Sequence, residues 1–548
     1  MRAPRLALAA LAVLPYLPAL GQPFFADDYI HLERAATAAT RPATLTQAWV
    51  LRAEDASAWW TPPELNVRYF RPLSTLSFVV DRALWGRSPL GFHLTSLLLH
   101  AATTLLVHAV ALRLLVSGPA AWFAAALFAL HPCHAEAVLW VSARADLLCA
   151  LFYLAAFLCH LRGRIETRGR LAWWTASAAL LALSLMAKEM AVTLPAVVML
   201  EIALFPRGET LGRRLRGPFL AAAVVVFYLV WRSSVIGPLG LPPRPFALAP
   251  GDPGFASQGL VASLQYLADL VLFVPADPVV TRPFWQGHPF ALALVATLAA
   301  ATLLSLLRAV RGPQRGFALG FTALALLPVL PLTVGEHFLY LPSFGYCLLV
   351  GAKLAPSDVP ASARSRAPLV ALGVLIAAVA LARTLAFGTL AHAARQSVDD
   401  ALAAWDAMPR AAEVLVVDLP GPAALGFAHA LRGERPGRPV QVEILTLSSQ
   451  VLPGGAPTRS EITGEDSDRL AVRRDEPLLG SYIEQAFAGG RGAFAPDESV
   501  WRGRLFVTVR DVRDGRPLSL EVSRPGDPQP ALLLRAEGYR LRGQSWPR

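Results

Sequence analysis

Charge is scarce in this chain. Of its 548 residues only 16% are Asp, Glu, Lys or Arg, while 55% are hydrophobic. A soluble chain carries about a quarter charged residues, so an ordinary soluble enzyme is excluded. Cysteine is scarcer still: Cys133, Cys149, Cys159 and Cys347 lie in or beside apolar segments, and no cysteine follows. That rules out a disulfide framework and leaves these side chains as small buried hydrophobes. No basic stripe with interleaved aromatics occurs, so the net charge of +11 does not point to nucleic acid. The arginines fall instead in short loops between apolar runs, as the positive-inside bias requires. Internal repeats, including the tetratricopeptide pattern, are also missing.

What is present is a series of apolar runs that recurs to about residue 390 and then stops. Arg2 and Arg5 precede the first run, Leu6 to Leu20, which places the N-terminus in the cytoplasm. A cleaved leader ending near Ala19-Leu20-Gly21 is the competing reading. Gln22 to Ser88 is polar and aromatic and reads as a large extracytoplasmic loop. Further runs cover Leu90–Val116, Ala120–Leu130, Ala145–His160, Leu171–Ala187, Ala191–Phe205 and Pro218–Ile236. The remaining runs are Pro289–Leu307, Gly316–Thr333, Phe338–Gly351 and Pro368–Leu390. The basic loops Arg162–Arg170, Arg207–Gly217 and Arg308–Gly316 all fall on the cytoplasmic side if Gly259–Val274 does not cross. That segment holds Gln265, Tyr266 and Asp269, and it reads as an interfacial or re-entrant helix. The expectation is an all-α polytopic membrane protein of about eleven transmembrane helices with its C-terminus outside.

The tail, 391–548, is rich in Arg, Asp, Glu, Pro and Gly. An amphipathic helix is expected at Ser397–Met408, and strands at Glu413–Asp418, Val440–Leu447, Leu505–Val512 and Ala531–Ala536. This makes a small α+β extracytoplasmic domain of unknown role, following a membrane domain over 1–390 in which 22–88 is the first outer loop.

Ionisable residues inside an apolar protein are costly and mark function. Here they gather at expected outer helix ends. Asp27 and Asp28 follow the first span; paired carboxylates there suit proton abstraction or cation binding, or simply a helix cap. Arg68 and Arg71 flank Tyr69 and Phe70 and suit an anionic phosphate or lipid headgroups. His131, His134 and Glu136 open a helix behind Pro132. A divalent metal is an option there, although no third ligand stands at fixed spacing. Arg144 and Asp146 follow, then Lys188 with Glu189, then Glu336, His337 and Tyr340 in a short outer loop. His93 and His100 share one helix face and suit interhelical hydrogen bonds.

In this order the motifs resemble the GT-C membrane glycosyltransferases. They are Asp27-Asp28, RYFRPL (Arg68–Leu73), Gly91-Phe92-His93 with His100, HPCHAEAVLWVSARADLL (His131–Leu148), Lys188-Glu189 and EHFLYLPS (Glu336–Ser343). Within that group they resemble the branch containing the eukaryotic transmembrane-and-tetratricopeptide protein O-mannosyltransferases and their bacterial relatives. The resemblance covers about residues 20–350. It implies a GT-C-like helical bundle that takes a sugar from a polyprenyl-phosphate donor and transfers it, with inversion, to an extracytoplasmic acceptor.

By the same resemblance Asp27 or Asp28 is the base, with Asp27 preferred. Arg68, Arg71, Arg144 and Lys188, with His337 and Tyr340, serve the donor phosphate and substrate. His93, His131, Glu136, Asp146, Glu189 and Glu336 support them. The partners are the lipid-linked sugar, an acceptor that is protein or envelope glycan or lipid, and membrane lipids. The absent tetratricopeptide repeats set this chain apart from the eukaryotic members and leave sugar and acceptor open. A GC-rich composition in Ala, Arg and Pro points to a bacterial inner membrane with the tail in the periplasm. Two other readings differ in class. A transporter or flippase of lipid-linked saccharide would carry its charges at the bilayer midplane on broken helices. An inactive scaffold would bind an envelope partner through its tail.

Overall fold

The computed structural model describes residues 2–546 except 48, 53–57, 64, 167, 238–246, 249–250, 253, 278–280, 355–366, 449–458, 467–468, 489–490 and 526–530. Parts of the first outer loop and of the tail therefore lie outside the described residues. The rest is mostly helical up to Asp406 and strand-rich beyond it.

Among the described residues, eight helices are long and apolar enough to cross a membrane. A bent pair, Gly118–Leu130 with Pro132–Leu139, would make a ninth. The expected count of about eleven is not reproduced. Three of the apolar runs are short helices: Leu194–Leu204, Pro313–Leu326 and Ser343–Leu354. Each is preceded or followed by a 3-10 turn or by a proline near its start. At 1.5 Å per residue they fall short of a ~30 Å hydrocarbon core. Phe255–Leu272, expected to lie at the interface, is among the eight. Its polar side chains Gln265, Tyr266 and Asp269 are buried within the protein.

Small residues set the helix spacing. A methyl on Gly345 would lie 2.3 Å from the Ala318 carbonyl oxygen, and one on Gly351 would lie 2.5 Å from that of Ala120. Close backbone approach of this kind is how membrane helices gain packing energy where lipid is as apolar as leucine.

The last membrane-length helix, Ala367–Asp406, is 40 residues long. It runs through position 391 and contains the amphipathic stretch expected at Ser397–Met408. It leads into a four-stranded sheet ordered Arg540–Trp546, Ala531–Glu537, Glu413–Val417, Gln441–Ile444, the last three of which are parallel. An antiparallel sheet of five strands follows, ordered Glu461–Asp466, Arg469–Arg473, Arg516–Ser523, Leu505–Arg513, Ser499–Arg502. Alternation explains its burial: Leu470 and Val472, Val507 and Val509, and Leu520 and Val522 all point inward.

The first outer loop and this strand-rich region share one apolar core. Phe24, Tyr29, Trp59, Trp60 and Phe78 pack in the same cluster as Trp405, Val416, Phe427 and Leu445. Trp59 donates its indole N–H to the Leu445 carbonyl at 3.0 Å, and Trp60 donates to that of Glu484 at 3.1 Å. Ala58 forms a parallel bridge with Ile444, extending the edge of the mixed sheet. Each buried indole contributes on the order of a few kcal/mol. The loop and the tail therefore stand on the same face of the helical bundle.

Candidate active site

The first span ends in a 3-10 turn, Leu14–Gly21, with Pro18 inside it. The chain then turns sharply, with Ala26 at φ 51°, and Asp28 opens the helix Asp28–Thr40. Asp28 is committed to structure. Its Oδ2 accepts from the Phe25 amide at 2.9 Å, and its Oδ1 accepts from the Ser142 amide at 2.8 Å and hydroxyl at 2.5 Å. Asp27 is not committed in this way: its Oδ1 is buried and accepts no hydrogen bond among the described residues. Burial and the neighbouring Asp28 charge push Asp27 up to about 7, against a weaker pull from Ser142 and Trp140. Burial takes Asp28 to about 6, opposed by its hydrogen bonds from Ser142 and Phe25 and by the Arg144 charge. One carboxylate is fixed by three donors, and the one beside it is poised near neutrality.

Arg144 lies behind this pair. It is completely buried, ion-paired to Asp81 at 2.6 Å, and donates to the Phe92 carbonyl at 2.9 Å. It also stacks over the Phe78 and Phe92 rings. Asp81 is held in turn by the Thr95 hydroxyl at 2.8 Å. Buried His93 belongs to the same layer. Arg144, expected by the resemblance to serve the donor phosphate, is a buried cation whose charge also acts on Asp28.

A second wall is built from cations. Arg71 is paired with Glu189 at 3.2 Å and lies 4.5 Å over the Tyr69 ring. Lys188 contacts both oxygens of Asp146 at 2.6 Å and lies 4.5 Å from the Phe338 ring centre. Arg68 is exposed and reaches the Ile236 carbonyl at 3.5 Å. Tyr69 joins the two walls, since its hydroxyl feels the charges of Arg71, Glu189 and Asp27. Arg232, on the helix Leu211–Ile236, acts on Glu189; its Nη1 is buried without a hydrogen bond among the described residues.

On the remaining side, Glu136 takes the His337 ring at 2.9 Å and the His337 amide at 2.7 Å. Glu336 pairs with Arg383, which also holds Asp269 at 2.9 Å. Arg232 and Arg383 were not read from the sequence, although each is a charge inside an otherwise apolar run and the rule applied elsewhere singles them out. Tyr340 is fully buried, with its hydroxyl 2.8 Å from His100 Nδ1. His131 contacts the Leu270 carbonyl at 3.0 Å, and His134 the Ser343 hydroxyl at 2.8 Å. These four residues fasten helices together. Among the described residues, no group of three or more His, Cys, Asp or Glu could share a metal ion.

No family model matches the chain. In sequence it is similar to Protein O-mannosyl-transferase TMTC2 of Homo sapiens, 35% identical over 180 residues, which are 31% of this chain and 21% of that protein. Drosophila melanogaster Tmtc2 is 39% identical over 191 residues, 34% and 20% of the two chains. A longer match, to human TMTC4, is 27% identical over 348 residues, 51% and 46%. The chain thus spans less than half the length of these curated relatives. Among solved structures, ArnT from Cupriavidus metallidurans in the apo state superposes with TM-score 0.48 at 14% identity, over 80% of this chain and 85% of that one. An Archaeoglobus fulgidus oligosaccharyltransferase gives 0.47 at 11%, over 80% and 64%. The resemblance read from the motifs is found again in these partial sequence matches: over a third to a half of its length this chain is similar to the protein O-mannosyl-transferases.

Proposed function

We propose that this protein is a membrane glycosyltransferase that moves a sugar from a polyprenyl-phosphate donor to an acceptor hydroxyl on the Asp27 face. The observation that carries the reading is Asp27. It is a carboxylate with a buried, unfilled acceptor atom and an affinity for protons near neutrality, standing beside the fixed carboxylate of Asp28.

In this reading Asp27 takes the proton of the acceptor hydroxyl as its oxygen attacks the anomeric carbon. The bond from that carbon to the phosphate oxygen breaks, and the configuration inverts. Negative charge then grows on the departing phosphate, and pre-positioned cations stabilise it most at the transition state. Arg71 and the exposed Arg68 are best placed to meet that phosphate. Lys188 and Arg232 supply positive potential behind them, while Asp146, Glu189 and Glu136 orient the cations and His337. The face carrying Asp27 and the strand-rich tail is assigned to the outside of a plasma membrane, with the N-terminus in the cytoplasm. That assignment follows from the basic loops at the opposite end.

The test is sugar release by the purified chain in detergent, offered a panel of polyprenyl-phosphate sugars, with wild type compared against Asp27→Asn. Turnover of one donor, lost in the variant, is the expected result and names the sugar. Equal turnover by both would remove Asp27 as the base. Saccharide movement across a vesicle without bond cleavage would replace the reading with a transporter.

A further inference from the structure

The strand-rich tail reaches the candidate base directly. Gly426 adopts φ +78°, and a methyl built on it would lie 2.1 Å from the Ala26 carbonyl oxygen, 2.9 Å from the Ala26 carbonyl carbon and 3.5 Å from the Asp27 Cα. A real Cβ cannot sit there. Ala26 is itself in the left-handed region at φ 51°, a conformation uncommon for a residue with a side chain and kept only where the surroundings impose it.

Those surroundings come from the tail. Beside Gly426, His429 Nδ1 contacts Glu33 at 2.5 Å. Arg395 reaches the Tyr29 hydroxyl at 3.3 Å and Glu434 at 2.9 Å. Glu434 also meets Arg87 at 3.5 Å. Further along the loop, Trp59 is anchored to Leu445 beside the mixed sheet and Trp60 to Glu484 on the helix Tyr482–Ala488.

We infer that the tail is a positioning element for the reaction: Gly426, seated on the Ala26 carbonyl, sets where the Asp27 carboxylate stands. This rests on the reading of Asp27 as the base. Tight contact excludes water from the Asp27 side chain, and a displaced turn would let water in. The same contact holds the carboxylate within reach of an acceptor, where a shift of about 1 Å costs on the order of 10²-fold in rate. Gly426 touches no substrate in this scheme, so its effect falls on kcat rather than KM.

The experiment uses the full chain in detergent with two variants, Gly426→Ala and Gly437→Ala. Gly437 also has a positive φ, +87°, but a methyl there meets nothing within 4 Å, so it shares the backbone strain without the contact. Carbodiimide labelling of Asp27 is followed by mass spectrometry as a function of pH, alongside kcat, KM and melting temperature. In Gly426→Ala the midpoint of Asp27 labelling is expected to move down by a pH unit or more. Its kcat should fall about 10²-fold with KM unchanged. Gly437→Ala should leave both at wild-type values even if its melting temperature drops. Equal behaviour of the two variants, or an unmoved midpoint in Gly426→Ala, overturns the inference. A wild type that turns over no donor while the midpoint still moves in Gly426→Ala alone would sink the glycosyl-transfer reading and leave the positioning contact standing.

Discussion

The helix Arg144–Ile165 carries an arginine at each end of a membrane-length rod, and the two ends are built differently. At one end Arg144 holds Asp81 behind the Asp27–Asp28 turn. At the other, Arg164 pairs with Glu201, which is wholly buried, and with Glu209 at 2.7 Å. His160 and Arg207 close around Glu201 at 3.6 Å each. Both ends contain buried charge, so buried charge alone does not mark a site. The Arg164 end is a closed knot in which cations outnumber the one deeply buried acid. Among the described residues both ends hold buried polar atoms without a hydrogen bond, Asp27 Oδ1 and Arg232 Nη1 at one and Glu201 Oε1 and His160 Nε2 at the other, but the latter two each lie 3.6 Å from an ion-pair partner. The two ends therefore differ in whether the unfilled atom lies within ion-pair distance of an opposite charge.

The sharpest way to break this contrast is to neutralise one acid at each end. Asp27→Asn should lower sugar turnover about 10³-fold, within the usual range for removal of a general base. Glu201→Gln should leave turnover per folded molecule in the wild-type order of magnitude; equal losses would erase the distinction.

Next comes stability. Asp81→Ala strands Arg144 in the interior and should cost about 3–5 kcal/mol, read as a lower melting temperature in detergent. The paired change Asp81→Leu with Arg144→Met should recover much of that loss. If the pair is as unstable as the single variant, Arg144 is held by its aromatic and carbonyl contacts rather than by the ion pair.

A smaller effect is expected in the pH profile. A base acts as its carboxylate, so turnover should rise with pH and level off above about 7, where Asp27 is ionised. Asp28→Asn removes the like charge and should move that limb to lower pH, and a limb that does not move would remove Asp28 as a cause.

The smallest lies in the tail. Burial pushes Glu443 up to about 8 from its usual 4.5, so the folded state keeps a proton that the unfolded chain has lost. Stability should therefore fall as pH rises from about 4.5 to about 8 and be flat above that. Glu443→Gln should flatten this stretch of the melting curve against pH.

Much of the site's membership was legible because short motifs carry it: Asp27-Asp28, Arg71 and Lys188-Glu189 stand out against apolar sequence. The partnerships were not legible. Asp146 and Lys188 are separated by 42 residues in the chain, and Glu136 and His337 by 201, and no local pattern encodes contacts at that range. The difference between Asp27 and Asp28, which only the resemblance had drawn, was equally invisible in the residues themselves, since Asp28 is fixed by Ser142 on another segment and by the Phe25 amide. In the fold, long apolar runs such as Pro89–Leu115 were read correctly. Leu194–Leu204 and Ser343–Leu354 are shorter helices than the apolar runs suggested, because hydrophobicity does not register the 3-10 turns before them. Four strands of the tail were anticipated from their β-branched runs, each within a residue or two of its observed ends or split in two. Glu461–Asp466 and Ser499–Arg502, polar and short, gave no such signal.

The 40-residue helix Ala367–Asp406 acts as a measuring rod as well as a connection. Arg383 fixes one point on it at the level of Glu336 and Asp269. The 23 residues from there to Asp406 extend roughly 35 Å further at 1.5 Å per residue. An uninterrupted helix of that length is far stiffer than a loop. Whatever meets the far surface of the tail is therefore held at a set height above the carboxylate turn. If the proposed transfer holds, a long or branched acceptor would be gauged by that height before its hydroxyl came within reach.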